Sequence, residues 1–253
     1  MFDFSLARQS LLFVARHRGA AFRLIWPLLL LWLAWDMVKT ATELNPSLAV
    51  GHWSIVVAFS LASLGLVAIV GTAWHRYVLL AERPWSRGVV PGWREGRYFL
   101  SFFLLSLISL LWFVSVGVAA VFMPGTASPA MRFGIGAVAI IVETFFFSRL
   151  AFTLPAIAVD ASSYGLRESW QRSRPYARAL FSLALVLCGL NQCADLVLWA
   201  VSASIASSPY LRDLVGFALT LPFAFAAEGM LFTAISFVYY DAVKTLDSGT
   251  PRS

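Results

Sequence analysis

Four ionisable residues stand inside long apolar runs of this sequence: Glu143, Arg149, Asp195 and Glu228. A charge near the centre of a membrane-crossing helix costs roughly 2.5–3.5 kcal/mol on insertion scales, so each is expected to face another helix or water. Acids held in this way can pass a proton or an ion, or line a polar pocket for a lipid headgroup; Glu143, Asp195 and Glu228 are the candidates. The plainer and favoured reading is interhelical hydrogen bonding with one salt bridge. Arg149 and Glu228 fall on the same half of the bilayer at about 1.5 Å of rise per residue, so they can supply that bridge. Thr144, Asn191 and Gln192 offer neutral partners to Glu143 and Asp195.

Catalysis has less to build on. His17, His52 and His75 are far apart and expected at surfaces, and no His-Glu-x-x-His helix, Gly-x-Ser-x-Gly elbow or phosphate loop occurs. Asp36 reads as a snorkelling or capping acid. Cys188 and Cys193, five apart, point in different directions on a helix, so neither a disulfide framework nor a metal site follows. No catalytic residue, cofactor or metal is therefore expected.

The elements that position the four charges follow from composition. Hydrophobic residues make up 60% of the 253 and charged residues 13%, half the share of about 25% usual in soluble domains. A mean hydropathy of +0.78 makes the bilayer the expected solvent. Apolar stretches of about 20 residues, enough for about 30 Å of hydrocarbon, recur six times. The spans are placed at Ala20 to about Val38, Trp53 to Tyr77, Phe99 to Phe122, Phe133 to Ala158, Leu180 to Ala203 and Leu214 to Tyr240. The expected fold is an all-α integral membrane protein. Its single domain, 1–253, divides into an interfacial segment (1–18), a six-helix bundle (20–240) and a cytoplasmic tail (241–253). Pro84, Gly88, Pro91 and Gly92 make Glu82 to Arg97 a surface connection, and MPGTASPAMR reads as a tight turn.

On the fifth span Cys188, Gln192, Asp195 and Trp199 share one helical face with Asn191 beside it, and that face is expected to point at protein. On the sixth, Gly216, Thr220, Ala224 and Glu228 recur every four residues, a stripe that lets a neighbour approach closely, with Pro222 expected to bend the helix. Residues 2–18 mix Phe4, Leu6, Leu11, Leu12 and Val14 with Arg8, Arg16 and Arg18, as a helix in the interface would.

Orientation follows from the basic residues. With both termini in the cytoplasm, all but three of the 19 lysines and arginines lie inside, the exceptions being Lys39, Arg132 and Arg212. The same clustering beside apolar segments explains the net charge of +6 without nucleic acid. Arg16, Arg94 and Arg172 open three similar stretches at equal intervals of 78 residues, which predicts three copies of surface helix plus helical hairpin. Chance spacing of the basic flanks that every span carries is the alternative.

The run from Arg149 to Arg174, RLAFTLPAIAVDASSYGLRESWQRSR, leaves one span, turns along a surface and enters the next. Pro155, Asp160, Ser169, Trp170 and Arg174 stand in it in the order Pro, apolar residues, acid, Ser-Trp, base. That order resembles the membrane domain of bacterial glycerophosphodiester phosphodiesterases and the related YciC-like integral membrane proteins. The resemblance implies a helical multipass protein of the bacterial inner membrane. It implies no phosphodiesterase, because the hydrolase of that family is a separate soluble domain.

The function expected is that of a non-catalytic scaffold or accessory protein, with membrane lipids and another integral membrane protein or complex as partners. A small transporter or lipid-handling protein that uses the intramembrane acids is the alternative.

Overall fold

The computed structural model describes residues 2–44, 52–83, 92–121, 129–161, 165–205 and 208–247. Among them the chain forms helices and turns and no strand. Lipid offers a backbone no hydrogen-bonding partner, and a helix closes its own bonds. The helices are α1 (Ser5–Arg16), α2 (Arg18–Leu44), α3 (His52–Leu80), α4 (Trp93–Val121), α5 (Pro129–Leu150), α6 (Thr153–Ala158), α7 (Leu166–Arg172), α8 (Ala177–Ser204) and α9 (Pro209–Asp247). Six stretches are long and apolar enough to cross a membrane, lying in α2, α3, α4, α5 with α6, α8 and α9. The chain is an all-helical, multipass membrane protein.

Several expected boundaries move. The fourth span is broken: α5 stops at Leu150, the chain turns through Ala151 and Phe152, and α6 begins at Thr153. Helix α4 starts at Trp93, six residues before the expected span, so part of the supposed connection is helical. The breakers Pro84, Gly88 and Pro91 lie outside the described residues, as does most of MPGTASPAMR. Helix α9 runs through Pro222 without interruption and on to Asp247, into the expected polar tail. Helix α2 likewise continues through Pro27.

Helix α9 is the centre of the assembly, packing against α1, α2, α3, α6 and α8. Small residues permit this. A side chain at Gly216 would come within 2.9 Å of Leu198 on α8, and one at Gly229 within 3.0 Å of Val14 on α1. Helix α1 buries Leu6, Ala7, Ser10 and Val14 against the bundle and leaves Leu11 and Leu12 exposed, as is Phe4 just before it. It thus has a buried face for protein and an outward face that mixes Leu11 and Leu12 with Arg8 and Arg16. Between spans such contacts stabilise by close packing and interhelical hydrogen bonds rather than by removal from water.

Side-chain contacts identify one end of the bundle. Asp3 N–H donates to Ser182 Oγ (3.0 Å), Arg76 to the Ala158 carbonyl (2.8 Å), and Tyr176 Oη to Asp241 (2.8 Å). These contacts gather the starts of α1 and α8 and the ends of α3, α6 and α9 into one basic layer. At the other end Thr40 donates to Asp213, and Asp36 pairs with Lys39 (2.7 Å). The evenly spaced arginines are not equivalent there. Arg16 and Arg172 close the short helices α1 and α7, whereas Arg94 lies in the first turn of the spanning helix α4.

Candidate functional site

The elbow is built around α6, whose six residues, TLPAIA, are all buried. Pro155 is its third residue, where the N–H it lacks would have no partner within the helix. The helix ends in a Schellman motif: Ala161 N–H bonds the Ala156 carbonyl (2.9 Å) and Asp160 N–H the Ile157 carbonyl (3.2 Å). That motif needs a left-handed residue between, and Asp160 takes the position with φ 57°. Aspartate tolerates it better than most L residues. The carboxylate accepts from Arg94 Nε at 3.0 Å and from Arg94 Nη2, with Arg76 Nη1 at 4.0 Å. The Arg94 bond holds the Asp160 carboxyl below the usual carboxylate range. Arg76 is also tied to Glu82, through Nε at 2.8 Å.

Arg149 fastens the second half of the elbow. Its Nε donates to Ser173 Oγ (3.0 Å), its Nη2 donates to the Trp170 carbonyl (2.8 Å), and its guanidinium carbon lies 3.5 Å from the Trp170 ring centroid. Trp170 stacks in turn on Phe146. Ser169 is fully buried and Arg174 is exposed in a 3-10 turn before α8. The sequence motif thus marks a structural joint.

The expected Arg149–Glu228 pair does not form. Arg149 is spent on the elbow, and Glu228 lies on α9 close enough to Tyr98 of α4 to act on it electrostatically. Tyr98 belongs to a buried network that sequence reasoning missed. His75, expected at a surface, is fully buried and bonds Ser236 Oγ through Nδ1 (2.7 Å) and Tyr98 Oη through Nε2 (3.1 Å). Trp74 Nε1 donates to Thr233 beside it (3.1 Å). Gly71 makes room, because any side chain there would strike the Tyr98 hydroxyl. Satisfied on both ring nitrogens, His75 joins α3, α4 and α9.

The other candidates point elsewhere. Glu143 Oε1 accepts from Ser109 Oγ of α4 (2.7 Å), and Thr144 Oγ1 lies 3.4 Å from Oε2. A cleft of about 260 Å³ opens beside this pair between α4 and α5. On α8 the polar face expected to meet protein turns outward over its outer half. Cys188 is buried, but Asn191 and Asp195 are exposed and Trp199 is 73% exposed. Gln192 is half-buried. Periodicity puts these residues on one side of α8, and α5 meets that side at Cys188, whose Sγ lies 3.8 Å from the Ala137 carbonyl. Among the described residues Asn191, Gln192, Asp195 and Glu228 have no hydrogen-bond or ion-pair partner.

Both cysteines are free, and no group of three His, Cys, Asp or Glu among the described residues is placed to hold a metal ion. Comparisons with models of known protein families, with curated proteins and with solved structures found no match.

Proposed function

We propose that this chain is a non-catalytic accessory or scaffold protein of the bacterial inner membrane, docking another integral membrane protein against the outer half of α8. The observation that carries the reading is the outward face of that helix. Asn191 and Asp195 are exposed there without a partner among the described residues, next to a Trp199 that is 73% exposed. Hydrocarbon gives such groups nothing to bond. A neighbouring helix with Ser, Thr, Lys or Arg at the same height stabilises them, by about 0.6 to 2 kcal/mol per hydrogen bond. Lipid covers α4, the least enclosed of the six spans.

The basic layer described above supports placing both termini on the cytoplasmic side, by the positive-inside rule. The elbow pattern at Pro155, Asp160, Ser169, Trp170 and Arg174 supports kinship with the YciC-like membrane proteins. An end-capped α6 and a clamped Trp170 give that pattern a structural purpose independent of substrate.

Native mass measurement after mild-detergent extraction tests the docking role. Wild type is expected in an assembly heavier than one 27.9 kDa chain, and N191L/D195L as the single chain. A wild-type protein that is extracted alone overturns the reading.

A further inference from the structure

The cleft between α4 and α5 has a composition that fits one kind of ligand. Its walls are apolar and rich in rings, with Trp112, Phe146 and Phe147 among them, and Glu143 is the one ionisable group among its described lining residues. Ser109 lies 12 positions beyond Arg97 on α4, which sets the acid about 18 Å from the basic end, close to the bilayer midplane. A phospholipid headgroup does not reach that depth. Ile108, Trp112 and Phe146 are exposed on the outside of the bundle, so the cleft opens towards lipid, and what enters it must be soluble there.

The carboxylate is only partly satisfied. Ser109 donates one hydrogen bond to Oε1, the Thr144 contact at Oε2 is long, and no described lysine, arginine or histidine pairs with Glu143. An alcohol could add one hydrogen bond. An ammonium adds two or three donors and the missing charge, and it gains further from ring faces within about 6 Å. A volume of 260 Å³ is that of eight or nine water molecules at about 30 Å³ each, enough for one ring and a short alkyl arm.

We infer that the α4–α5 cleft is a binding site for a lipophilic primary amine of about ten heavy atoms, whose ammonium meets Glu143 while its apolar body lies against Trp112, Phe146 and Phe147. The site is separate from the α8 face, so neither reading depends on the other.

Fluorine NMR of 4-fluorophenethylamine with the full chain in lipid nanodiscs tests it, with empty nanodiscs to subtract partitioning. Saturable binding is expected for wild type, at least tenfold weaker for E143Q, and lost in I108W, where the larger ring fills the cleft. The amide oxygen introduced by E143Q can still accept the Ser109 bond, so that variant is expected to retain the wild-type elution profile. The neutral 4-fluorophenethyl alcohol is expected to show no saturable component. Absence of saturable binding to wild type, equal binding by E143Q, or equal binding of the alcohol overturns the inference.

Discussion

Arg149 and Asp195 are both charged residues in apolar helices, yet their surroundings differ completely. Arg149 reaches Ser173 Oγ at 3.0 Å, the Trp170 carbonyl at 2.8 Å and the Trp170 ring at 3.5 Å, while Asp195 is exposed on α8 and touches no polar partner among the described residues. At the elbow three arginines close joints between separate segments: Arg94 to Asp160, Arg76 to the end of α6, Arg149 to the end of α7. On the outer half of α8 Asn191 and Asp195 have no such partner among the described residues. A membrane charge is costly wherever it is placed. One that the fold has already satisfied accounts for itself, and one left open asks for something outside the chain.

The contrast can be broken most forcefully at the elbow. R149A removes two hydrogen bonds from a charged donor and the cation–π contact with Trp170, and it leaves the buried Ser173 hydroxyl with only the Trp170 carbonyl. At about 1.5 kcal/mol for each charged hydrogen bond, with a smaller sum for the ring, the expected loss is about 3–4 kcal/mol. R149K keeps the charge without the planar fork and is expected to recover less than half of it. Equilibrium unfolding of the purified protein in mixed micelles measures both. A change below about 1 kcal/mol for R149A would mean that the elbow is held without its clamp.

Asp160 offers a smaller and more divisible test, because its backbone and its charge do different work. D160G keeps the left-handed turn and loses only a largely exposed ion pair, for up to about 1 kcal/mol. D160A loses the same pair and also strains φ 57°, adding roughly 1–2 kcal/mol. The charge part depends on pH. The Arg94 bond lowers the carboxyl's folded pKa, so its contribution is fully present above the ordinary aspartate value near 3.9 and is lost as pH falls through the lowered one. The advantage of wild type over D160N should therefore stay constant from neutral pH to about pH 4 and shrink below it, in the same unfolding measurement. An advantage already shrinking at pH 6 would contradict the Arg94 pairing.

How much of this was legible in the sequence varies with the kind of signal. The six spans came from apolar length, and the elbow came from the run between Arg149 and Arg174, apolar in its first half and basic in its second. The break at Ala151–Phe152 carried no glycine or proline of its own. Pro155 suits the first turn of a new helix as well as the body of an old one. His75 sits in HRY beside basic residues and reads as a surface histidine, because periodicity cannot show that Tyr98 and Ser236 converge on it. Hydropathy fails similarly for α8. In soluble proteins the polar face marks water, but in a membrane both protein and lipid are apolar, so a polar face shows that something must meet it without showing what.

The mildest change is the sharpest for the comparison. N191L/D195L replaces two exposed side chains that bond nothing among the described residues, so the isolated chain is expected to unfold within about 0.5 kcal/mol of wild type. Arg149 and Asp195 would then differ by several kcal/mol in what their removal costs the fold, although both are charges in apolar helices. The low cost matters because N191L/D195L is also the variant expected to lose its companion on extraction, and an intact fold assigns that loss to the surface. A destabilisation above about 1 kcal/mol would show that Asn191 and Asp195 are satisfied from within the chain. The outer half of α8 would then be a second joint like the elbow, with no polar groups left for a partner.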